Sequence, residues 1–376
     1  MEKRILLVGG GSGGHAYPLL AVAQSLATQA KQKGINLKLL LMGDNRGFLE
    51  RAAKDGDLPF KFILAGALRR YFSPRLIIDL IKIPISMIQA LWYVFWFMPD
   101  AVFSKGGYDS VAPALAARLY AIPVYMHESD TIPGLANRIV AWLARRIFIS
   151  FASSEVYFPG KAVLTGNPVR PELFAADRTA ALQHFSFTAD KRTILIFGGS
   201  QGAKEINDVI TNSLVELVRD YQIIHQCGDT QYETVRAAVD TFIKEGGNLY
   251  GTAIERGYRL YPFLHSQELA MAYAAADIII SRAGSGSLFE IAMLGKPAII
   301  IPLISAANGH QISNAVEFAR TGVSVIEGAN MTTHILVSQV KALLEPSRST
   351  EVREKLKLFA KPGAAKDIAS AILAEI

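Results

Sequence analysis

The stretch RILLVGGGSGGH, residues 4–15, joins a run of apolar residues to a glycine-rich turn and then enters a helical pattern. The apolar run has the length and composition of a strand that is buried on both faces. After the turn, Leu19, Val22 and Leu26 recur at the spacing of one helix face. A strand, a glycine turn and a helix in this order are typical of the first unit of a Rossmann-like domain.

The same succession occurs again in the second half of the chain. Residues 193–197 form an apolar run, and the turn GGSQGA follows at residues 198–203. Ile206, Ile210 and Leu214 then mark one face of a helix. Because a single dinucleotide site needs one such turn, two turns facing each other across a cleft suit two phosphorylated ligands better.

Further apolar runs alternate with longer helical patterns, as expected for parallel sheets with crossover helices. A chain of 376 residues also exceeds what one hydrophobic core usually serves. We therefore predict an α/β protein with two Rossmann-like domains facing a cleft, over residues 1–165 and 166–355. The predicted strands are residues 4–8, 37–42, 101–103, 123–126 and 147–150 in the first domain, and 193–197, 222–225, 259–263, 277–281 and 298–302 in the second.

Composition limits the class of protein. Apolar residues make up 51% of the chain and charged residues 19%, which excludes a disordered chain. The single cysteine, Cys227, excludes an internal disulfide framework. Residues 1–4 lead directly into an apolar run without the features of a signal peptide, so we expect a cytoplasmic protein. The net charge of +6 favours an anionic partner, whether nucleotide, lipid head group or nucleic acid.

The first glycine turn predicts a phosphate site. Glycines let backbone N–H groups approach an anion closely, and the following helix N-terminus adds partial positive charge. Gly9, Gly11 and Gly14 also fit the dinucleotide spacing, and Asp44 follows the second predicted strand. An NAD(P)-dependent oxidoreductase is therefore an alternative, as is a turn that serves only tight packing of strand and helix.

A third turn of small residues lies in SRAGSGSLFE, residues 281–290. It follows a predicted strand, and open α/β sheets bind ligands at the carboxyl ends of their strands. Glu290 lies about one turn into the next helix. A carboxylate there would accept hydrogen bonds from both hydroxyls of a ribose. The alternative is a capping or salt-bridging role, since acidic residues favour helix N-termini.

Together these segments resemble the MurG family of glycosyltransferases over nearly the whole chain. The segments that carry the resemblance are residues 10–15, SKGGY at 104–108, HESD at 127–130, GLAN at 134–137, GNPVR at 166–170, residues 198–203, residues 282–290, and Gln311 with residues 314–315. The resemblance implies the GT-B fold, with the donor on the second domain and the acceptor on the first. It also implies that a last helix, residues 364–376, packs back on the first domain.

The activity implied by this resemblance is an inverting transfer of N-acetylglucosamine from UDP-N-acetylglucosamine to lipid I. The acceptor atom would be the C4 hydroxyl of the muramoyl sugar of this undecaprenyl-linked substrate, and the product would be lipid II for peptidoglycan synthesis. A glycolipid synthase of the same fold and a nucleotide-sugar epimerase would share the glycine turns and are alternatives.

The resemblance also implies individual site residues. For the donor they are Ser200, Ser285, Gly286 and Ser287 at the phosphates, Leu264 at the uracil, Glu290 at the ribose, Gln311 at the sugar, and Asp130 and Arg170 in the same pocket. Many family members carry asparagine where this chain has Asp130. Ser12, Gly13 and Gly14 are implied in donor binding and, with Gly106, Gly107 and Tyr108, in the acceptor diphosphate site. His127 and Asn137 are also implied in acceptor binding.

The reaction needs a base near the acceptor hydroxyl but no covalent nucleophile. His15 follows the first turn, and its reference pKa of about 6.5 suits a general base. The alternative is that His15 only donates a hydrogen bond to a phosphate. Glu128 and His127 are the reserve candidates, and His127 is equally consistent with a structural histidine. Helix N-termini would assist the departure of UDP, so we expect no metal and no cofactor.

The segment between residues 69 and 98 predicts a membrane contact. The basic residues Arg69, Arg70, Arg75 and Lys82 precede an apolar stretch that contains Trp92 and Trp96. This stretch is about 16 residues long, against the roughly 20 that a spanning helix needs. We expect peripheral binding to an anionic membrane on its cytoplasmic face, and no nucleic-acid partner. The alternative is a core helix that leads into the strand at 101–103.

Overall fold

We analysed a computed structural model, which describes residues 2–10, 13–44, 48–66, 74–199, 202–303 and 309–376. Contacts divide the chain into two compact units. Unit 1 contains Met1–Arg170 and Lys361–Ile376, and unit 2 contains Pro171–Ala360. Each unit is built on one parallel β-sheet, which confirms the predicted class of two α/β domains.

Unit 1 has a seven-stranded sheet. Its strands are β1 (Glu2–Val8), β2 (Asn36–Gly43), β3 (Phe60–Phe62), β4 (Ala101–Ser104), β5 (Val124–Glu128), β6 (Arg146–Ile149) and β7 (Ala162–Leu164). Its helices before residue 170 are α1 (Gly13–Gln32), α2 (Phe48–Asp55), α3 (Pro74–Phe97), α4 (Val111–Leu119) and α5 (Leu135–Leu143). The strand order is β3-β2-β1-β4-β5-β6-β7, with every pair parallel.

Unit 2 has a six-stranded sheet. Its strands are β8 (Arg192–Phe197), β9 (Tyr221–Gln226), β10 (Tyr258–Tyr261), β11 (Ile278–Ser281), β12 (Ala298–Ile300) and β13 (Ser324–Val325). Its helices are α6 (Arg178–His184), α7 (Lys204–Asp220), α8 (Tyr232–Gly246), α9 (Gly251–Gly257), α10 (Ser266–Ala275), α11 (Ser285–Leu294), α12 (His310–Ala319), α13 (Thr333–Leu344) and α14 (Pro346–Phe359). The parallel strand order is β10-β9-β8-β11-β12-β13, and the last helix, α15 (Ala364–Leu373), belongs to unit 1.

Alternate residues of β1 face two separate cores. Leu6 and Val8 pack with residues of α3, α4 and α5 on one face of the sheet. Ile5 and Leu7 pack on the other face with residues of α1, α2 and α15. Because helices cover both faces, the strands need apolar residues at every position. This is why the central strands were recognisable as continuous apolar runs.

The strands predicted from the sequence are all present, with ends that differ by one or two residues. Three strands were missed: β3, β7 and β13. They are two or three residues long and lie at or next to sheet edges. Their side chains are half-buried or exposed, so these positions carry no long apolar run. The last helix ends at Leu373 and not at residue 376.

The strand order of each sheet reverses beside its first strand. The reversal lies between β1 and β4 in unit 1 and between β8 and β11 in unit 2. In open α/β sheets, ligands bind at the carboxyl ends of the strands at such a point. The turns after these four strands contain the glycine motifs. The topology therefore brings the predicted motifs together in pairs, one pair in each unit.

Candidate active site

Two glycine turns of unit 1 pack backbone against backbone. The Gly10 N–H donates to the Gly106 carbonyl at 3.0 Å. Gly106 and Gly107 have φ values of 94° and 90°, in the left-handed region that favours glycine. A Cβ on Gly106 would overlap the Asn137 amide, and one on Gly107 would lie 3.1 Å from Gly10 Cα. The two glycines that follow β4, Gly106 and Gly107, are therefore required for the close approach of the two turns.

The N–H groups of this glycine pair already donate within the protein. Gly106 N–H donates to Ser104 Oγ at 3.1 Å, and Gly107 N–H donates to Asn137 Oδ1 at 3.3 Å. Tyr108 follows in a short 3-10 turn and is half-buried. These bonds show a packing role for the pair, and its predicted contact with the acceptor diphosphate stays a prediction.

His15 lies in the first turn of α1, beside these glycines. Its Nδ1 is 3.0 Å from the Lys105 carbonyl oxygen. A carbonyl only accepts, so this bond assigns the proton to Nδ1 and the lone pair to Nε2. Burial and the Lys105 ammonium lower the pKa of His15, while the hydrogen bond to Lys105 and the charge of Asp130 oppose this shift. Neutral His15 with a basic Nε2 is the form that a general base requires.

Glu128 ends β5 as a buried carboxylate that is 2% exposed. It accepts hydrogen bonds from Asn137 Nδ2 at 2.7 Å and from the Asp130 N–H at 2.9 Å. Burial and the charge of Asp130 raise the pKa of Glu128 to about 7. Since Asn137 also bonds to Gly107, it links this carboxylate to the glycine turn. Both polar ends of Asn137 have protein partners, and its direct contact with an acceptor stays a prediction.

Lys105 is the residue of this site that the sequence analysis did not single out. Its side chain is fully buried, and Nζ donates to His127 Nδ1 at 2.9 Å and to Ser129 Oγ. His127 Nε2 then donates to the Gly166 carbonyl at 2.9 Å. Burial and Lys105 hold the pKa of His127 well below its ordinary value. Both ring nitrogens of His127 bond within the protein, which favours its structural role over a role as base.

Arg170 and Asp130 also belong to unit 1. The Arg170 side chain is buried, and its guanidinium lies 3.9 Å from the centre of the Tyr17 ring on α1. Asp130 is half-buried and acts on His15 and Glu128 through its charge. Gly13 and Gly14 begin α1. The first unit thus collects most of its predicted site residues around the ends of β1, β4 and β5.

The turn after β8 in unit 2 is held by side chains from two other strand ends. Arg282 Nη1 donates to the Gly198 carbonyl at 2.9 Å, and Gln226 Nε2 donates to the Gly199 carbonyl at 3.1 Å. Gly199 has a φ of 79°, which again favours glycine. Gln226 Oε1 also accepts from the Leu264 N–H at 3.0 Å. A uracil ring near Leu264 would therefore meet a backbone N–H group that already donates to Gln226.

The N-terminus of α11 offers backbone donors to an anion. Gly284 precedes the helix and has no side chain to cap it, so the first N–H groups of α11 receive no side-chain cap from this position. The helix dipole adds partial positive charge there. Ser285 is buried, whereas Gly286 and Ser287 are half-buried. This arrangement suits the phosphate oxygens that the sequence analysis assigned to the turn.

Glu290 is half-buried on α11, and its carboxylate accepts a hydrogen bond from the Tyr273 hydroxyl at 2.9 Å. Tyr273 is 0% exposed. The capping alternative for Glu290 is wrong, because the first turn of α11 contains no acidic residue. Gln311 is the second residue of α12 and is buried, and its Oε1 accepts from the Leu303 N–H at 3.2 Å.

Some predicted positions lie outside the described residues. These are Ser12, Ser200, Arg69 and Arg70, and the side chain of Arg75 as well. Within the part of the chain that the structure describes, no group of three or more His, Cys, Asp or Glu side chains is arranged to hold a metal ion.

Models of two known domain families match this chain, one mainly over each unit. The model of the glycosyltransferase family 28 N-terminal domain matches residues 5–149, and that of the C-terminal domain matches residues 193–368. A Bacillus anthracis protein is 37% identical over 345 residues, 91% of either chain. It is named UDP-N-acetylglucosamine--N-acetylmuramyl-(pentapeptide) pyrophosphoryl-undecaprenol N-acetylglucosamine transferase 2. The chain belongs to the MurG family of glycosyltransferases.

Other members and solved structures agree with this assignment. A Legionella pneumophila transferase of the same name, without the number, is 34% identical over 95% of this chain and 93% of its own. The crystal structure of Acinetobacter baumannii MurG has a TM-score of 0.72 at 28% identity and covers 99% of both chains. The predicted family and fold are confirmed.

The fold itself extends beyond the MurG family. A Neisseria meningitidis UDP-GlcNAc 2-epimerase bound to UDP-GlcNAc has a TM-score of 0.71 at 18% identity, over 99% of this chain. Identity this low shows a shared fold and no more. The epimerase alternative therefore has weaker support than the transferase assignment.

Proposed function

We propose that this chain transfers N-acetylglucosamine from UDP-N-acetylglucosamine to the C4 hydroxyl of the muramoyl sugar of undecaprenyl-linked lipid I, which gives lipid II. The observation that carries this proposal is the 37% identity, over 91% of both chains, to a transferase whose name states that activity. The family 28 models also match both units, which favours a hexosyltransferase over an NAD(P)-dependent oxidoreductase.

We assign the acceptor and the base to unit 1. In an inverting displacement, the acceptor oxygen attacks the anomeric carbon as the bond to UDP breaks, and the hydroxyl proton passes to a base. The proton on His15 Nδ1 and the neutral state of the ring support His15 Nε2 as that base. Glu128 is the second candidate, because a pKa of about 7 would leave much of it ionised at neutral pH. Gly13 and Gly14, at the start of α1, would meet the acceptor diphosphate.

We assign the donor mainly to unit 2. The start of α11 supports binding of the UDP phosphates, and its partial positive charge would stabilise the departing diphosphate. Glu290, held by Tyr273, would accept the ribose hydroxyls, and Leu264 would meet the uracil. Gln311 would contact the donor sugar, and Asp130 and Arg170 are further proposed donor residues. With these groups in place, we propose that neither a metal nor a cofactor is required.

We further propose that unit 1 binds an anionic membrane surface through α3. The residues Ile81, Ile85, Ile88, Trp92 and Trp96 are 59%, 42%, 68%, 61% and 64% exposed and share one face of the helix. An exposed apolar stripe of this size marks an interaction site. The opposite face of α3 packs in the core, so the core-helix alternative applies to that face alone.

The apolar stripe of α3 continues onto the end of α4. The Phe95 ring lies 6.3 Å from the Tyr120 ring, and Leu119 beside it is 69% exposed. The chain also has a cationic residue next to Ile81, Lys82 on α3, and one next to Leu119, Arg118 on α4. No helix in the described part of the chain is long and apolar enough to span a bilayer. The exposed apolar surface supports peripheral binding to a membrane, and we propose the cytoplasmic face as the place of binding.

The function is tested with purified protein, UDP-N-acetylglucosamine and a lipid I analogue. We expect UDP release that depends on the acceptor, a product heavier than the acceptor by one N-acetylhexosamine, and full activity in the presence of a chelator. An incubation without acceptor serves as the matched control. Conversion of the nucleotide sugar in that control, without transfer to lipid I, would contradict the proposal and indicate an epimerase.

A further inference from the structure

Lys105 is a buried cation whose hydrogen bonds go to neutral groups. Its side chain is 0% exposed, and Nζ donates to the His127 ring and to the Ser129 hydroxyl. Burial of a charge is costly unless charged partners offset it. The carboxylates that offset this one, Glu128 and Asp130, act through space. A lysine whose charge is buried at this free-energy cost, in the middle of the site, indicates that the charge has a function.

Lys105 acts on His15 in two ways. Its backbone carbonyl oxygen accepts a hydrogen bond from His15 Nδ1, and the two atoms are 3.0 Å apart. This bond fixes the orientation of the ring and leaves the lone pair on Nε2. Its ammonium charge disfavours a second proton on the same ring. One residue therefore sets both the geometry and the protonation state of the proposed base.

We propose that Lys105 is a positioning residue for glycosyl transfer: its carbonyl orients the His15 ring, and its buried ammonium supplies a fixed positive charge that acts on that ring. This inference rests on the proposed function, with His15 as the base. Lys105 does not touch substrate, because it is fully buried.

The charges around His15 act in opposite directions. Lys105, at the end of β4, lowers the pKa of His15, and Asp130, in the turn after β5, raises it. Glu128 and His127, on β5, are further titratable groups that interact with Lys105. Burial lowers the pKa of Lys105 itself to about 8, so it stays charged over the range in which His15 titrates.

The test is the pH profile of kcat for the parent and two variants that remove opposite charges. Lys105→Gln keeps a donor for His127 but loses the positive charge, so the pKa of His15 rises. The acid limb of the profile should then move to higher pH by about one unit. Asp130→Asn removes the negative charge and should move the limb to lower pH. The double variant should return the limb towards the parent's position.

A purely structural role of Lys105 predicts a different result. The rate would fall by a similar factor at every pH, and the acid limb would not move; that outcome overturns the proposal. An acid limb near pH 7 in the parent protein would also overturn the proposal, because the pKa of Glu128 is about 7 and Glu128 would then be the base. If Lys105→Gln does not fold, the same pH profile is measured for Lys105→Met and Asp130→Asn. An acid limb that does not move in a folded variant refutes the inference. Turnover by the parent is measured first, so failure of the proposed function is seen separately.

Discussion

Replacement of Glu290 tests the proposed ribose site most directly. Two ribose hydroxyls would donate to its carboxylate, and a hydrogen bond to a charged group contributes about 1.5–3 kcal/mol. Loss of both in Glu290→Ala should cost about 3 kcal/mol of UDP binding, or roughly a hundredfold in Kd. Glu290→Gln keeps an acceptor oxygen but loses the charge, so its Kd should rise by about tenfold.

The same change has a structural cost that must be measured separately. Glu290→Ala leaves the fully buried Tyr273 hydroxyl without the acceptor it has at 2.9 Å. An unsatisfied buried donor costs about 1–3 kcal/mol of unfolding free energy. Tyr273→Phe removes that hydroxyl and leaves the half-buried carboxylate of Glu290 to be hydrated, at a cost of about 1 kcal/mol. Its UDP affinity should fall only a few-fold.

Isothermal titration calorimetry with UDP gives the Kd values, and urea unfolding gives the stabilities. The expected pattern is a large loss of binding in Glu290→Ala and a small loss in Tyr273→Phe, although both are destabilised. A folded Glu290→Ala protein that binds UDP within twofold of the parent would refute the ribose assignment. Equal losses of affinity in the two variants would show that local stability, and not the carboxylate, controls binding.

Three further predictions concern unit 1. His15→Ala should lower kcat by about 10² to 10⁴ with unchanged UDP affinity. In the parent, kcat should fall towards acid pH with a midpoint below the ordinary pKa of histidine, because the pKa of His15 is lowered. Stopped assays across pH measure both effects. Gly106→Ala should destabilise by well over the ~1 kcal/mol expected of Gly160→Ala, a control with a similar positive φ but open space, as urea unfolding would measure. Trp92→Glu should reduce flotation with anionic vesicles by about tenfold, whereas Leu358→Glu, an exposed control in unit 2, should float as the parent does. Equal flotation of Trp92→Glu and the parent would argue against α3 as the membrane surface.

The sequence determined the fold class and the positions of the glycine turns at the ends of the strands. Strands covered on both faces need apolar residues throughout, and turns that approach an anion need glycine, so both leave local patterns. The segments at 4–15, 193–203 and 281–290 carried these patterns, and the resemblance to the MurG family rested on eight segments that occur in the family's order. Short strands such as β3 left no such pattern, because their side chains are not fully buried.

The tertiary structure decided which side chains act together. Lys105 adjoins the glycine pair at 106–107, but no local pattern shows what its own groups contact. Its carbonyl contacts a residue 90 positions away, and its ammonium contacts one 22 positions away. Tyr273 likewise supports Glu290 from a different helix. These partners are set by the order of strands in each sheet, which places the ends of β1, β4 and β5 side by side. Local sequence patterns record burial and turn geometry, whereas the pairing of distant side chains depends on which strands become neighbours.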